Sequence, residues 1–411
     1  MLLEFSLENF LSFKDNVSFS MLANGTKGLD DNYVNVFDKK VLKTAAIYGA
    51  NASGKSNLFK VLDLVGSMIG NSINANINSK LPIVPFKFED TEKLSRFEIK
   101  FIKEGIKYVY GFSANSLKVV DEYLYYYPNG REAKIFDRTE TNVYSFAPSD
   151  NKILNEIKEK TAANKFFLSV ATNWNYKKTK PAYDFLTIDL GTCFNLEMLK
   201  TTAFKFYSSD SGKKKKKAIL NFLKQADFNI ADFDVEVRKI PKEFLPNNIS
   251  YVMNDEEYKV FNAKFTHVFN GKKYTLDFEE ESAGTQIFFI LLPFVAIAMD
   301  TQRVLIVDEL DRGLHPFLVQ YIVSIFNNPN INTNGAQLIF NTHDTNLLDL
   351  NLLRRDQIWF TEKNSATGSS DLYSLSDFSV RKNENIEKGY LLGRYGAVPF
   401  INNEFNLWEE K

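Results

Sequence analysis

At 411 residues the chain exceeds one ordinary domain and has ample material for a core, so a large core carrying an insertion or second lobe is expected. Its 50 basic and 51 acidic residues leave a net charge of -1, which excludes composition as a reason to expect broad binding to nucleic acid or anionic membrane. A single cysteine, Cys193, excludes an intrachain disulfide framework and fits a reducing compartment, where a buried small side chain is its expected role.

The opening MLLEFSLENF bears Glu4 and alternates through Leu3, Phe5 and Leu7, which marks a strand and not a secretory signal. Val17, Phe19 and Met21 repeat the period of two, so a hairpin is expected. Ala45, Ala46, Ile47 and Tyr48 make a buried strand that runs into GANASGKS, Gly49 to Ser56, a fit to G-x-x-x-x-G-K-[ST]. In that pattern the glycines let backbone N–H groups close around phosphate oxygens, and the lysine neutralises the β/γ charge. Leu58, Phe59, Leu62 and Val65 follow at helical spacing, which sets the loop on a helix N-terminus where orphan N–H groups and the macrodipole favour anions. Strand, loop and helix in this order point to a phosphate loop, with Lys55 on the phosphates and Ser56 on magnesium.

Arg96 to Phe101 and Tyr108 to Ser113 are expected as strands around a Glu104-Gly105 turn. Glu122 to Tyr127 is another, ended by Pro128-Asn129-Gly130, so the N-terminal lobe is rich in antiparallel sheet. From about Asn151 the spacing turns helical, through Ile153, Leu154 and Ile157, then Phe166, Phe167 and Val170, then Leu220, Phe222 and Leu223. Residues 136–265 are therefore expected as a mostly helical insertion between core segments 1–135 and 266–411. Sustained heptads are missing, which argues against a long coiled-coil arm. The run Lys213 to Lys217 is expected as a solvated loop leading into a helix, with contact to a phosphate backbone as the competing use. Val260 to Val268 and Lys273 to Phe278 are strands returning to the core.

A second motif cluster follows. In ESAGTQ, from Glu281, the residues Ser282, Ala283, Gly284 and Thr285 precede an apolar helix, so small side chains and free N–H groups could face a second phosphate. The apolar run Ile287 to Met299 is too short to span a bilayer and is interrupted by Pro293, so a soluble cytoplasmic protein with no membrane partner is expected. Val304 to Val307 form a buried parallel strand that delivers Asp308 and Glu309 at its C-terminal edge, where α/β sheets bind ligands. Asp308 would hold magnesium, and Glu309 would orient or activate the attacking water. Another strand, Leu338, Ile339 and Phe340, ends in Asn341, Thr342, His343 and Asp344, and this placing suits His343 as a γ-phosphate sensor. His315 precedes Pro316 at an expected helix entry, and His267, in an expected strand, is assigned no role.

Together these residues resemble the ATP-binding-cassette type of ATPase in its soluble branch, with RecF, SMC and the overcoming-lysogenization-defect ATPases. NASGKSN looks like that branch's phosphate loop, ESAGTQ its signature motif, DELDRGLHP its Walker B with D-loop, and NTHD its histidine switch; LENFLSFKD is similar to its first strand region. The resemblance implies an α/β fold, with a central sheet and flanking helices plus an antiparallel β lobe, and it implies ATP and Mg2+ as ligands. Nucleotide contacts would come from Gly49, Ala50, Asn51, Ala52, Ser53, Gly54, Lys55, Ser56 and Asn57, and magnesium would be held by Ser56 and Asp308. Glu309 and His343 would be catalytic. Two protomers would sandwich two ATP molecules, with Ser282, Gly284 and Asp311 acting across the dimer or a higher homo-oligomer.

The ending GYLLGRYGAVPF, Gly389 to Phe400, looks like the tail of bacterial abortive-infection ATPases of the RloA and AbiL kind, which are encoded beside a toxic nuclease-like partner. A glycine-rich turn packing Tyr390 and Tyr395 is the alternative account of it. Transporter-type cassettes carry a glutamine loop after the first lobe, yet no glutamine precedes Gln225, and Pro85-Phe86-Lys87 lies at the place where a replacement for that contact would fall. The stretch after His343 is too short and too poor in clustered acids for a nuclease domain. The expected function is thus an ATPase subunit of an abortive-infection system that dimerises around ATP and controls a separately encoded effector. The rivals are a DNA-repair or DNA-maintenance ATPase, a transporter subunit, and a nucleotide-gated scaffold without turnover; balanced charge gives no indication of nucleic acid.

Overall fold

The computed structural model describes residues 1–88, 93–194, 196–226, 228–241, 251–253, 257–381 and 384–399. The chain forms two units, Met1–Leu190 with Asn341–Lys411, and Gly191–Phe340.

The first unit opens with β1 Leu2–Glu8, β2 Val17–Ser20, β3 Tyr33–Val36, β4 Lys39–Leu42, β5 Thr44–Tyr48 and α1 Lys55–Asn71. It continues with β6 Ser95–Lys103, β7 Ile106–Ala114, β8 Val119–Tyr127, β9 Ala133–Thr139 and β10 Val143–Phe146, then α2 Asn151–Lys158, α3 Phe167–Asn173 and α4 Lys180–Asp184. A seven-stranded antiparallel sheet runs β10-β9-β8-β7-β6-β1-β2. Its first strand buries Leu3, Phe5 and Leu7 and leaves Glu4, Ser6 and Glu8 half-buried, the alternation of a sheet with one wet face. The expected hairpin of the first two strands forms, with Phe5 opposite Phe19. Glu104 and Gly105 both take positive φ, 52° and 71°, the turn geometry that matches the twist of two adjoining strands.

Helix α3 is fastened to this sheet by a buried charge. The Glu122 carboxylate accepts from the N–H groups of Phe167 and Leu168 at 2.6 and 3.0 Å. Burial pushes that carboxyl up, and the Arg138 guanidinium 3.5 Å away pulls it down. Arg138 in turn donates to the carbonyls of Thr141 and Lys165 at 2.6 and 2.7 Å, so neither charge is left without partners.

The second unit holds β11 Leu190–Cys193, α5 Leu196–Ser208, α6 Asp210–Gln225, β12 Asp232–Pro241, β13 Tyr251–Met253, β14 Glu257–Phe269 and β15 Lys272–Asp277. It ends with α7 Ala283–Thr301, β16 Val304–Val307, α8 Pro316–Asn327 and β17 Gln337–Asn341. Strands β16 and β17 pair in parallel from Val304 against Gln337 to Val307 against Phe340, as the two continuous apolar runs require. Strands β12 to β15 form an antiparallel sheet in which β14 pairs with β12, β13 and β15. Phe233 and Phe265 of that sheet pack on Phe289 of α7 with ring centroids 5.0 and 4.7 Å apart.

Three expectations change here. The stretch 136–265, read as one mostly helical insertion, is divided between the two units, and beside α2 to α6 it carries strands β10 to β13 as well as most of β14, which was expected as the strand Val260 to Val268. The alternation Phe233, Val235, Val237 was the available signal for β12, and of the three only Phe233 is buried. The lysine run is not a loop. Helix α6 begins at Asp210, with the Ser209 hydroxyl accepting from Gly212 N–H at 3.2 Å, so Lys213 to Lys217 lie in the helix body. Lys215 pairs with Asp300, and Lys216 meets Asp232 at 2.8 Å. Finally, α7 has 19 residues, longer than its apolar run, and by length and composition alone it could cross a membrane. Half of its most apolar stretch is buried within the protein.

Pro293 sits inside α7 and removes the N–H that would bond the carbonyl of Phe289. The hydroxyl of Tyr207, on α5, donates to that carbonyl instead at 2.7 Å, while its ring stacks on Phe289 at 4.2 Å. Tyr207→Phe keeps the stacking and deletes the donor. It is expected to destabilise the protein by about 1 to 3 kcal/mol, read as a lower urea midpoint at unchanged slope. An unaltered midpoint would mean that the carbonyl does not depend on this hydroxyl.

Candidate functional site

Strand β5 is buried at every residue and runs directly into the GANASGKS loop, which turns into α1 at Lys55. Leu58, Phe59, Leu62 and Val65, the residues that mark this helix in the sequence, are all buried. The chain returns to the first unit at Asn341 and adds β18 Ile358–Lys363, β19 Ser370–Ser374 and α9 Ile386–Leu391. Strand β18 lies parallel to β5, with Trp359 beside Ile47, and β19 is antiparallel to β18.

These late strands shape the loop. A Cβ on Gly49 would lie 2.4 Å from the backbone oxygen of Thr361, and one on Gly54 2.6 Å from the Ser370 hydroxyl. Gly54 also takes φ 117°, which L side chains rarely adopt, so both positions require glycine. Ser53 Oγ and Thr361 Oγ1 share a 2.6 Å hydrogen bond, and Ser370 N–H donates to Ser12 O at 2.7 Å. The Ser12 hydroxyl then accepts from Asn57 Nδ2 at 2.9 Å. Ser12, Thr361 and Ser370 were missed in the sequence, because nothing local marks a residue distant in sequence as a brace for the loop: Thr361 lies 308 positions from Ser53 and Ser12 lies 45 from Asn57; the motif LENFLSFKD contains Ser12 but not its role.

The loop fits an anion. Gly54 stands at the N-cap of α1 and makes no side-chain cap hydrogen bond, so the loop leads straight onto the helix N-terminus. Asn51 and Ala52 are exposed, while Ser53, Gly54 and Lys55 are buried. Lys55 Nζ donates to the carbonyls of Gly49 and Ala50 at 2.7 and 3.0 Å, which folds the ammonium over the loop. Ser56 opens the same helix, half-buried.

NTHD stands beside this loop. Thr342 N–H donates to Ile47 O at 3.2 Å, and Tyr48 Oη donates to the Asp344 carbonyl at 3.1 Å, so His343, exposed, projects at the end of the strand that feeds the phosphate loop. Behind it lies the tail. Tyr390 packs on Tyr48 and Phe360 with centroids 5.8 and 5.6 Å apart, and Tyr395 packs on Phe360 at 6.0 Å. The glycine-rich turn therefore has a packing role; Phe400 lies outside the described residues. Pro85-Phe86-Lys87 is tied to the first hairpin, with Phe86 N–H on Asn9 Oδ1 at 3.1 Å and Leu11 N–H on Val84 O at 2.9 Å.

The second unit carries the other motif residues. Asp308 and Glu309 follow β16, with Asp308 N–H on Cys193 O at 3.2 Å and Asp308 half-buried. Glu309 takes φ 53°, a strained backbone for a residue of this type, is exposed, and lies 3.6 Å from Arg312. Both acids line a cavity of about 510 Å³ with Cys193, Ile287, Leu291 and Arg312. Burial pushes the Cys193 thiol up to about 12, so it is the inert, packed cysteine expected. Ser282 caps α7, its hydroxyl accepting from Thr285 N–H at 3.1 Å, and Ser282 and Ala283 are exposed. A Cβ on Gly284 would lie 3.2 Å from the carbonyl of Gly313, so ESAGTQ and the segment after Glu309 pack closely. Asp311 is half-buried in that segment, where its carbonyl accepts from Leu314 N–H at 3.2 Å. His315 caps α8, its Nδ1 accepting from Phe317 N–H at 3.2 Å, the tight entry expected of it.

The family described as "AAA domain, putative AbiEii toxin, Type IV TA system" matches residues 45–178 and 199–349. The chain belongs to that family. The matched segments begin in β5 and end just beyond NTHD, so they take in GANASGKS, ESAGTQ, VLIVDE and His343. It is thus a mixed α/β protein of a P-loop ATPase family, which implies binding of a nucleotide, usually with magnesium. None of the curated proteins matches the chain.

Proposed function

We propose that this chain is the ATP-hydrolysing subunit of a bacterial abortive-infection defence system, in which a homodimer closes around ATP and controls a separately encoded, nuclease-like effector. The core would be of the ATP-binding-cassette type and nearest the RloA and AbiL kind. The observation that carries this is a phosphate loop that admits only glycine at 49 and 54, in one chain with a second, exposed small-residue helix start at Ser282 and Ala283. The first would hold the nucleotide and the second would meet the nucleotide of a partner protomer. The family's description, which names a toxin of a type IV toxin–antitoxin system, favours defence over repair.

Within that assembly Lys55 and the loop N–H groups bind phosphate, and Ser56 and Asp308 hold magnesium. Glu309 orients the attacking water and His343 senses the γ-phosphate. ATP drives closure only by binding the closed state more tightly than the open one.

The test is phosphate release from Mg-ATP together with the mass in solution by light scattering, with and without a non-hydrolysable analogue. Turnover and a doubled mass with the analogue are expected, and the product of the neighbouring reading frame is expected to co-purify. A monomer under all conditions, releasing no phosphate, ends the proposal. The DNA-maintenance alternative draws on Lys213, Lys214 and Lys217, which are exposed on α6. Turnover stimulated by DNA, with steeply salt-dependent binding, would favour it.

A further inference from the structure

His267 has no place in the motifs, yet it reaches the first residue of ESAGTQ. It lies on β14, near the strand's end, and is buried. Its Nδ1 is 2.6 Å from the carbonyl of Asn229, and its Nε2 is 2.6 Å from Oε1 of Glu281. A carbonyl only accepts, so Nδ1 donates to it, and the second contact requires one further proton shared between ring and carboxyl. Both side chains are about nine-tenths buried, at 11% and 8% exposure, so this pair is shielded from the solvent screening that weakens surface pairs.

Glu281 is held from two more directions. Its carbonyl accepts from Gln286 Nε2 at 2.9 Å, and its N–H donates to Phe278 O at 3.3 Å. The next residue, Ser282, is the cap of α7, and Ser282 and Ala283 are exposed. The exposed start of the helix therefore follows directly on Glu281, whose buried side chain is fixed from a different element of the fold. We propose that His267 is a positioning residue for ESAGTQ: through Glu281 it sets the angle at which Ser282 and Gly284 are presented to the nucleotide of a second copy of this chain. This rests on the reading of the chain as an ATP-dimerised ATPase. His267 touches no nucleotide itself, and it lies in the unit that lacks the phosphate loop.

The consequence is a split between binding and output. Removing the pair leaves nucleotide binding to a single protomer intact and weakens what needs two protomers. The test uses the full chain with His267→Asn, too short to reach Glu281, and His267→Gln, whose amide can still donate to it, each checked for folding by thermal melting. For the Asn variant, affinity of dilute protein for a non-hydrolysable ATP analogue is expected to stay within about twofold, while turnover and analogue-induced dimerisation fall about tenfold or more. The Gln variant is expected to recover most of that loss. Equal behaviour of the two variants overturns the proposal, whether both match the wild type or both fail. So does an equal loss of single-protomer binding, which would mark a general structural role. If the wild type shows neither turnover nor dimer, the parent reading falls and this one with it; where the wild type shows both, any difference between the variants is due to His267 alone.

Discussion

Lys55→Ala is expected to lower ATP affinity by about a hundredfold or more, the scale of removing a charge-assisted donor from a shielded anion site. The side chain is buried over the loop, where its ammonium donates to the carbonyls of Gly49 and Ala50. Alanine removes those two bonds as well as the phosphate partner, so thermal melting must accompany the titration. A folded variant that binds a fluorescent ATP analogue within about threefold of wild type would show that the phosphates do not sit on this loop.

Glu309→Gln is expected to leave ATP binding near normal, to slow hydrolysis by about a hundredfold to a thousandfold, and to prolong the ATP-bound dimer. The amide keeps the size and one acceptor of the carboxylate but cannot take a proton. Little stability should be lost with the charge, because Glu309 is exposed and its contact with Arg312 is a surface pair at 3.6 Å. Single-turnover phosphate release separates binding from chemistry here. Unchanged turnover would remove Glu309 from the reaction, and loss of binding would reassign it to holding the nucleotide.

Short-range signals carried much of this fold. The phosphate loop was legible because strand, glycines and helix lie within about 25 consecutive residues, each governed by local periodicity. The same holds for the first hairpin, the Glu104-Gly105 turn, β16 with its acids, and the His315 cap. The lysine run misled because five like charges suggest a solvated loop, whereas Asp300 and Asp232 neutralise two of them and Ser209 caps the helix upstream. Of the strands after α6, β14 and β15 were legible as Val260 to Val268 and Lys273 to Phe278, whereas β12 was missed because its alternation Phe233, Val235, Val237 lies directly after a stretch of helical spacing.

By itself, then, the sequence determined the chemistry on offer: a phosphate loop, two strand-end acids, a strand-end histidine and a capped helix start, all set by neighbours within a few residues. Only the tertiary structure decided what braces them. Thr361 and Ser370 leave Gly49 and Gly54 no room for a side chain, Ser12 ties Ser370 to Asn57, and His267 secures Glu281. Those partners come from other strands and loops, and their pairing follows from strand order and register, which local periodicity does not encode.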